Sequence, residues 1–186
     1  DRVIDVAVCQ ESDEVILGTR LGKAIRFKAL EARPMGRPAF GVRGIKLHKD
    51  DRVCGMAVVR PEASLLTVCL NGFGKRTAFD EYPTQGRGGQ GVINIKATER
   101  NGPVVTLRAV GDADDVIYIT NGGQVVRTPI ADISSIGRGT QGVRLITLQE
   151  GDALASAAPV APEVAGDSEP VVDQQGAPPA GPDDAP

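Results

Sequence analysis

One short pattern occurs three times in this 186-residue chain at almost constant spacing. It consists of a glycine, an Arg-Phe or Arg-Thr pair that starts four residues later, and a Gly-Val pair 19 residues after the first glycine. The copies begin at Gly22, Gly72 and Gly123, so they are offset by 50 and then 51 residues. A repeat that keeps this register without a gap predicts one structural unit built three times.

Each copy contains four short runs of β-branched and aliphatic residues. In the first copy these are residues 3–8, 15–17, 24–27 and 42–47, and the other two copies follow the same spacing. The turn dipeptides Asn71-Gly72 and Asn121-Gly122 stand between apolar runs, which indicates hairpins. Glycine and proline are too frequent for long helices. The pattern therefore predicts an all-β fold of propeller-like blades.

Three copies do not make a complete propeller. Propellers close with about four to eight blades, and fewer blades leave strand edges open. We therefore predict three four-stranded blades of a larger domain, at approximately residues 1–50, 51–101 and 102–151.

Charge is distributed unevenly along the chain. Residues 1–151 carry 21 basic and 17 acidic side chains, whereas residues 152–186 carry seven acidic and no basic side chains. The second segment also holds seven of the 13 prolines and no aromatic residue. It buries too little apolar surface to offset the entropy of ordering, so we predict a disordered acidic tail over residues 152–186. Two roles stay open for it: competition with phosphates for the basic body, or solubility without contact.

The sequence predicts neither a catalytic site nor a metal site in this chain. The single histidine and the three cysteines lie far apart, and no phosphate-binding Gly-x-x-x-x-Gly-Lys-[Ser/Thr] loop is present. Tyr82 and Tyr118 occupy repeat positions that hold aliphatic residues or threonine in other copies, so we expect both to be structural. No apolar stretch is long enough to cross a membrane.

Four sequence strings resemble the C-terminal domain of DNA gyrase A subunits: MGRPAFGVRGIKL from Met35, NGFGKRT from Asn71, EYPT from Glu81 and GRGTQGVRLI from Gly137. The likeness covers residues 1–151, and the acidic tail also suits the family. A related family, the A-type subunits of topoisomerase IV, has fewer and more degenerate blades, so the regular third copy favours gyrase. The string QGRGGQG from Gln85 lacks the second arginine and the lysine of the gyrase first-blade box QRRGGKG, so we do not identify it with that box.

The resemblance implies a six-bladed β-pinwheel, with strands exchanged between neighbouring blades, that wraps duplex DNA around a basic rim. This chain would form the last three blades. The resemblance further implies a cytoplasmic, nucleoid-associated bacterial type II topoisomerase that supercoils DNA negatively with ATP and Mg²⁺. Its partners would be the gyrase B subunit and a second A subunit, and all catalysis and cofactor binding would lie outside this chain.

Basic residues near the repeated glycines are the candidate DNA contacts, because a wrapped duplex needs many weak, sequence-independent phosphate contacts. They are Arg37, Arg43, Lys46, Lys75, Arg76, Arg87, Lys96, Arg127, Arg138 and Arg144. For the three arginines that precede the Gly-Val pairs, the alternative is a structural turn bonded to a neighbouring blade. For the whole chain, the alternative is a propeller that binds proteins only, although it lacks the Trp-Asp signature of such blades.

Overall fold

The computed structural model describes residues 2–161, and most of the ordered elements in this range are β-strands. The strands are β1 (Glu14–Thr19), β2 (Lys23–Lys28), β3 (Val53–Val58), β4 (Ala63–Cys69), β5 (Phe73–Ala78), β6 (Val92–Ile93), β7 (Val104–Gly111), β8 (Asp115–Thr120), β9 (Val125–Pro129), β10 (Val143–Arg144) and β11 (Leu154–Val160). Short 3-10 helices follow the second hairpin strand of each copy, at Ala29–Ala32, Phe79–Glu81 and Ile130–Asp132. The predicted all-β fold class is confirmed.

The strands form three antiparallel sheets, each built around one hairpin. Their orders are β3-β1-β2-β6 in blade 1, β7-β4-β5-β10 in blade 2 and β11-β8-β9 in blade 3. Strand β7 packs against both β3 and β11, so these three strands lie together at the inner side of the blades. Strands β6 and β10 lie at the opposite edge. We call the three segments 42–47, 92–96 and 143–148, which end each copy and include β6 and β10, the rim.

The outer strand of each complete blade is supplied by the next copy of the repeat. Strand β6 pairs with β2 through Lys23↔Ile93, and β10 pairs with β5 through Phe73↔Arg144. This is the exchange of strands between neighbouring blades that the resemblance implies. Blade 3 has three strands among the described residues, rather than the predicted four, since β9 has no rim strand paired with it there.

The blade boundaries differ from the predicted ones because the inner strands also come from the following copy. Strands β3 and β7, which we expected to open the second and third blades, pair instead with the hairpins that precede them. The blades therefore span residues 14–58, 63–111 and 115–160, plus the exchanged rim strands, rather than 1–50, 51–101 and 102–151. A repeat pattern defines the period of the units but not where one unit starts.

The first copy lacks two of its predicted strands. Residues 3–8 and 42–47 form no strand, and the rim strands of the other copies shorten to two residues each. In the second and third copies the matching segments pair with a hairpin or an outer edge of a preceding blade. Among the described residues neither segment pairs with a hairpin strand, the partner that its counterparts in the other copies use.

The predicted tail starts too early, because β11 lies inside it. This strand pairs with β8 and buries Leu154 and Ala157. Asp152, which we counted as tail charge, accepts a 2.8 Å hydrogen bond from the Gly122 N–H. The strand was missed because its small alanine side chains produce no strong hydrophobic alternation. The rest of the tail prediction concerns residues 162–186, which lie outside the described residues.

The core is aliphatic and lies between neighbouring blades. One cluster joins blades 1 and 2 and includes Ile16, Leu65 and Tyr82, while another joins blades 2 and 3 and includes Leu66 and Tyr118. Both tyrosines are fully buried, and burial raises the pKa of each hydroxyl, so neither is poised as a nucleophile. Their predicted structural role is confirmed.

The glycines of the second and third Gly-Val pairs allow the rim strand to approach the preceding blade. Gly91 has a φ of 67°, and a Cβ there would lie 2.3 Å from the Ala24 carbonyl oxygen. Gly142 has a φ of 78°, and its Cβ would lie 2.6 Å from the Gly74 oxygen. Gly41 shares this conformation, with a φ of 78°, but has no atom within 4 Å of a Cβ. The first copy therefore provides a control for backbone strain without a clash.

We expect Gly91→Ala to lower the free energy of unfolding by about 3 kcal/mol, since it combines a left-handed backbone with a clash against Ala24. Gly41→Ala should lower it by about 1 kcal/mol, because only the backbone strain applies. Urea unfolding of both variants measures the difference. If both variants lose the same unfolding free energy, the close approach of the rim strand to Ala24 does not limit the size of residue 91.

Candidate nucleic-acid interface

The rim carries four exposed cations that no other described side chain neutralises. Arg43, Lys46, Lys96 and Arg144 are all exposed. None of their side chains donates a hydrogen bond or forms an ion pair to any residue in 2–161. Uncompensated charge at an exposed edge is the electrostatic arrangement that a phosphate backbone recognises. All four residues belong to the predicted set.

Arg87 and Arg138 make the inter-blade contacts that we considered as the alternative to DNA binding. The Arg87 guanidinium donates to the carbonyl oxygens of Arg43 at 2.5 Å and Glu31 at 3.1 Å, both in the preceding copy. Arg138 lies 6.0 Å from the centre of the Tyr82 ring and donates to a carbonyl of the second copy. Each arginine thus fixes its loop to the blade before it. Arg37 is exposed and makes no such contact within the described range.

Lys75 is a correction to the predicted DNA contacts, because its side chain is fully buried. Its Nζ donates a 2.7 Å hydrogen bond to the Gly137 carbonyl, in the loop that the third copy packs onto blade 2. Burial, with a contribution from the nearby Arg138 charge, lowers the pKa of Lys75 to about 8. An ammonium without solvent access cannot reach a phosphate. The matching positions hold Ile25 and Val126, so this is a core position that contains a lysine in one copy.

The arginine that follows each hairpin turn is bound to a carboxylate. Arg76 pairs with Asp112 and donates a 2.6 Å hydrogen bond to the Ile133 carbonyl, and its side chain is 15% exposed. Arg127 pairs with Asp115 at 2.7 Å. The matching residue of the first copy, which we did not select, pairs with a glutamate in the same way. Arg76 in particular would have to leave two partners to bind phosphate, so its place in the predicted set is corrected.

Arg100 is a basic surface residue that sequence reasoning missed. It lies in the turn between β6 and β7, and its guanidinium carbon sits 4.8 Å from the centre of the Phe73 ring. The Arg144 guanidinium lies 5.3 Å from the same centre. The Gly-x-x-x-Arg frame gives no signal for this arrangement, because matching positions hold Asp50 and Gly151. The register of β5 and β10 places Arg144 beside Phe73, and the turn that carries Arg100 is bonded to Asn71 of the same hairpin.

In the part of the chain that the structure describes, potential metal ligands are dispersed and two of the three cysteines are buried or half-buried. Residues 2–161 contain no group of three or more His, Cys, Asp or Glu side chains placed to hold a metal ion. Burial raises the pKa of the Cys54 and Cys69 thiols to about 12, so both are protonated and weakly nucleophilic near neutral pH. The same residues include no helix that is long and apolar enough to cross a membrane.

Comparison with known proteins identifies the repeated unit. The family model "DNA gyrase C-terminal domain, beta-propeller" matches three successive segments, residues 13–60, 64–110 and 114–161. The chain belongs to this DNA gyrase C-terminal domain family. The three matches begin within one residue of each hairpin and end within two residues of each inner strand, so they agree with the blades of the structure rather than with the boundaries predicted from the repeat.

Individual relatives support the same family. The DNA gyrase A subunit of Salmonella typhimurium is 53% identical over 150 residues, which are 81% of this chain and 17% of that protein. The Mycobacterium tuberculosis H37Rv subunit is 40% identical over 179 residues, 95% of this chain and 21% of that protein. This chain therefore spans about a fifth of the length of these relatives. These matches confirm the resemblance to gyrase rather than topoisomerase IV.

Solved structures show the same architecture. A DNA gyrase A C-terminal domain aligns with a TM-score of 0.75 and 27% identity, over 80% of this chain and 51% of that one. The C-terminal domain of a DNA topoisomerase IV aligns with a TM-score of 0.79 over 84% of this chain and 49% of that one, but at 21% identity it shows the fold alone. The described blades correspond to about half of such a domain.

The buried ammonium of Lys75 predicts a specific pH dependence of stability. Between its folded pKa of about 8 and its ordinary value of 10.5, the unfolded chain binds more protons than the folded chain, so this group makes stability rise with pH. Relative to Lys75→Met, the parent should gain about 2 kcal/mol in unfolding free energy between pH 7 and pH 9.5. Urea unfolding of both proteins at each pH tests this, since thiol and tyrosine titration cancels in the difference. A constant difference would contradict the lowered pKa.

Proposed function

We propose that this chain binds duplex DNA without sequence preference and bends it along the rim. The observation that carries the proposal is the set of four exposed, uncompensated cations Arg43, Lys46, Lys96 and Arg144, which occupy two matching repeat positions in the rim segments of successive copies. Membership of the gyrase C-terminal domain family supports it. A row of cations repeated from blade to blade presents charge along a path instead of at one point.

The chemistry of the rim suits a backbone contact rather than base recognition. Lysine and arginine on an exposed edge attract phosphates and release the counterions condensed on the duplex, which makes binding strongly salt-dependent. Reading base edges requires an element that enters a groove, such as a helix or a two-stranded ribbon. The longest helix among the described residues has four residues, and β6 and β10 are held within sheets. The predicted binding is therefore insensitive to sequence.

In the complete protein, we infer that this chain serves a type II topoisomerase by presenting a wrapped DNA segment to catalytic domains elsewhere. The gyrase A relatives, of which it spans about a fifth, support this role. ATP and Mg²⁺ would act with the gyrase B subunit and the remainder of two A subunits, and this chain would perform no cleavage or ATP hydrolysis. Such an enzyme works on the cytoplasmic nucleoid.

The competing function is a protein-interaction platform. The two functions differ in how the removal of rim charges should change the affinity for DNA. A protein-binding propeller would depend on exposed apolar or aromatic anchors, and its affinity for DNA would not follow the rim charges. The wrapping function predicts that the contribution of a given rim cation is the same on any DNA sequence. Substitution of single cations therefore separates the two.

We expect Lys46→Gln and Lys96→Gln each to weaken binding to a duplex of mixed sequence by about two- to fivefold. Each should lower the slope of log affinity against log salt by about 1, since each removes one phosphate contact. Lys75→Met is the matched control, because it removes one positive charge from a buried position and should leave that slope unchanged. Fluorescence anisotropy at several salt concentrations gives both quantities. Salt-independent binding, or equal effects at all three lysines, would contradict DNA binding along the rim.

The charge of residues 162–186 suggests a regulatory role for this segment. It carries six acidic and no basic residues and follows a body with an excess of basic residues. We propose that it competes with phosphates for the rim. Deletion of residues 162–186, which leaves β11 intact, should tighten DNA binding at low salt, with a smaller gain at high salt because salt screens the attraction. Identical affinities of the two forms at low salt would leave solubility as its role.

A further inference from the structure

Blade 2 holds two arginine side chains on a single aromatic ring. The guanidinium carbons of Arg100 and Arg144 lie 4.8 and 5.3 Å from the centre of the Phe73 ring. The negative charge of the ring faces attracts and orients both guanidinium groups. Neither guanidinium has a hydrogen bond or ion pair to any residue within 2–161. Each therefore keeps its N–H donors available for an anion.

The backbone that carries Arg100 is fixed by two asparagines. The Asn71 Nδ2 donates to the carbonyl oxygens of Glu99 and Arg100, at 2.9 and 3.2 Å. The buried Asn101 donates from its Nδ2 to the Lys96 carbonyl at 3.0 Å and to a carbonyl of the third copy. The turn is therefore attached both to the hairpin of blade 2 and to the next copy. A cation on a fixed backbone loses less conformational freedom when it binds an anion.

The backbone of Arg144 is fixed by sheet pairing, because this residue belongs to the exchanged strand β10 and pairs directly with Phe73. Blade 1 has the same cross-strand pair with the two residue types reversed, Lys23 on the hairpin and Ile93 on the rim strand. Each complete blade thus places one cation beside one apolar side chain at this point of the rim. Blade 2 differs in that the apolar partner is aromatic and a second cation joins it.

We propose that Arg100 and Arg144, positioned by Phe73, form a preorganised phosphate-binding site that is the main anchor of duplex DNA on this chain. The inference rests on the proposed DNA binding. It adds that blade 2 contributes most of the affinity for DNA, because its cations are held in place before DNA binds. Phe73 is a positioning residue: its side chain is almost entirely buried, and it acts on DNA only by holding the two guanidinium groups. The ligands are phosphodiesters of the duplex backbone, which each guanidinium group can contact through charge-assisted hydrogen bonds.

The first comparison uses two double variants with the same change in charge. Arg100→Gln with Arg144→Gln should weaken binding to a fluorescent duplex of mixed sequence at least about threefold more than Lys46→Gln with Lys96→Gln. The two lysines are exposed and no aromatic ring orients their side chains, so each loses more side-chain conformational entropy when it binds a phosphate. If the arginine pair costs no more affinity than the lysine pair, the anchor is wrong, even when the parent chain binds DNA normally.

The second comparison changes the ring without changing any charge. Phe73→Leu should weaken binding by about two- to fivefold, as expected for cations that lose their contact with an aromatic face. Phe73→Tyr should restore parent affinity, and thermal unfolding should show both variants folded. Parent-like affinity of a folded Phe73→Leu variant would overturn the positioning role. If this variant does not fold, the comparison of the two double variants decides alone.

Failure of the proposed function is recognised separately. A parent chain that does not bind the duplex, or binds it without salt dependence, contradicts DNA binding as a whole and this inference with it. A parent chain that binds with a steep salt dependence, while the arginine and lysine double variants behave alike, contradicts only the anchor.

Discussion

Backbone pairing between consecutive copies is the interaction on which the rest of the structure depends. Each complete blade takes both its inner strand and its rim strand from the copy that follows its hairpin. The rim pairing is short, and it requires a glycine at positions such as Gly91, where the rim strand nearly touches the carbonyl of Ala24. Contacts of long side chains support it, including Arg87 to Glu31 and Lys75 to Gly137. No blade is complete without its neighbour.

This joining of copies divides the basic residues into two groups. One group donates its hydrogen bonds to neighbouring loops or acidic side chains, and it includes Arg76, Arg87 and Lys75. These bonds hold the blades together. Lys46 and Lys96 have no such partner and extend from the rim. A basic residue thus stabilises the contact between blades in one group, whereas in the other group it is available to bind a ligand. Burial and partners, rather than charge alone, distinguish the two groups.

The sequence was sufficient for the repeat period, the hairpins and the family, because glycine spacing and apolar runs are local features. It was insufficient for properties that depend on a partner strand. Residues 3–8 have the composition of a strand but pair with no strand among the described residues, whereas alanine-rich β11 pairs with β8 in spite of its weak pattern. Lys75 occupies a core position although it is charged, and Arg100 reaches the Phe73 ring from a turn that Asn71 holds in place. None of these follows from local composition.

The exchange of strands also bears on how such a domain can evolve. Every junction between blades is built from the same repeat positions, since β6 meets β2 as β10 meets β5. A duplication or deletion of one 50-residue unit therefore creates no new kind of junction and leaves the remaining ones unchanged. Lineages are free to vary the number of blades, and with it the length of the rim, by recombination between copies. The individual copies can then diverge, as blade 2 has done with its aromatic ring.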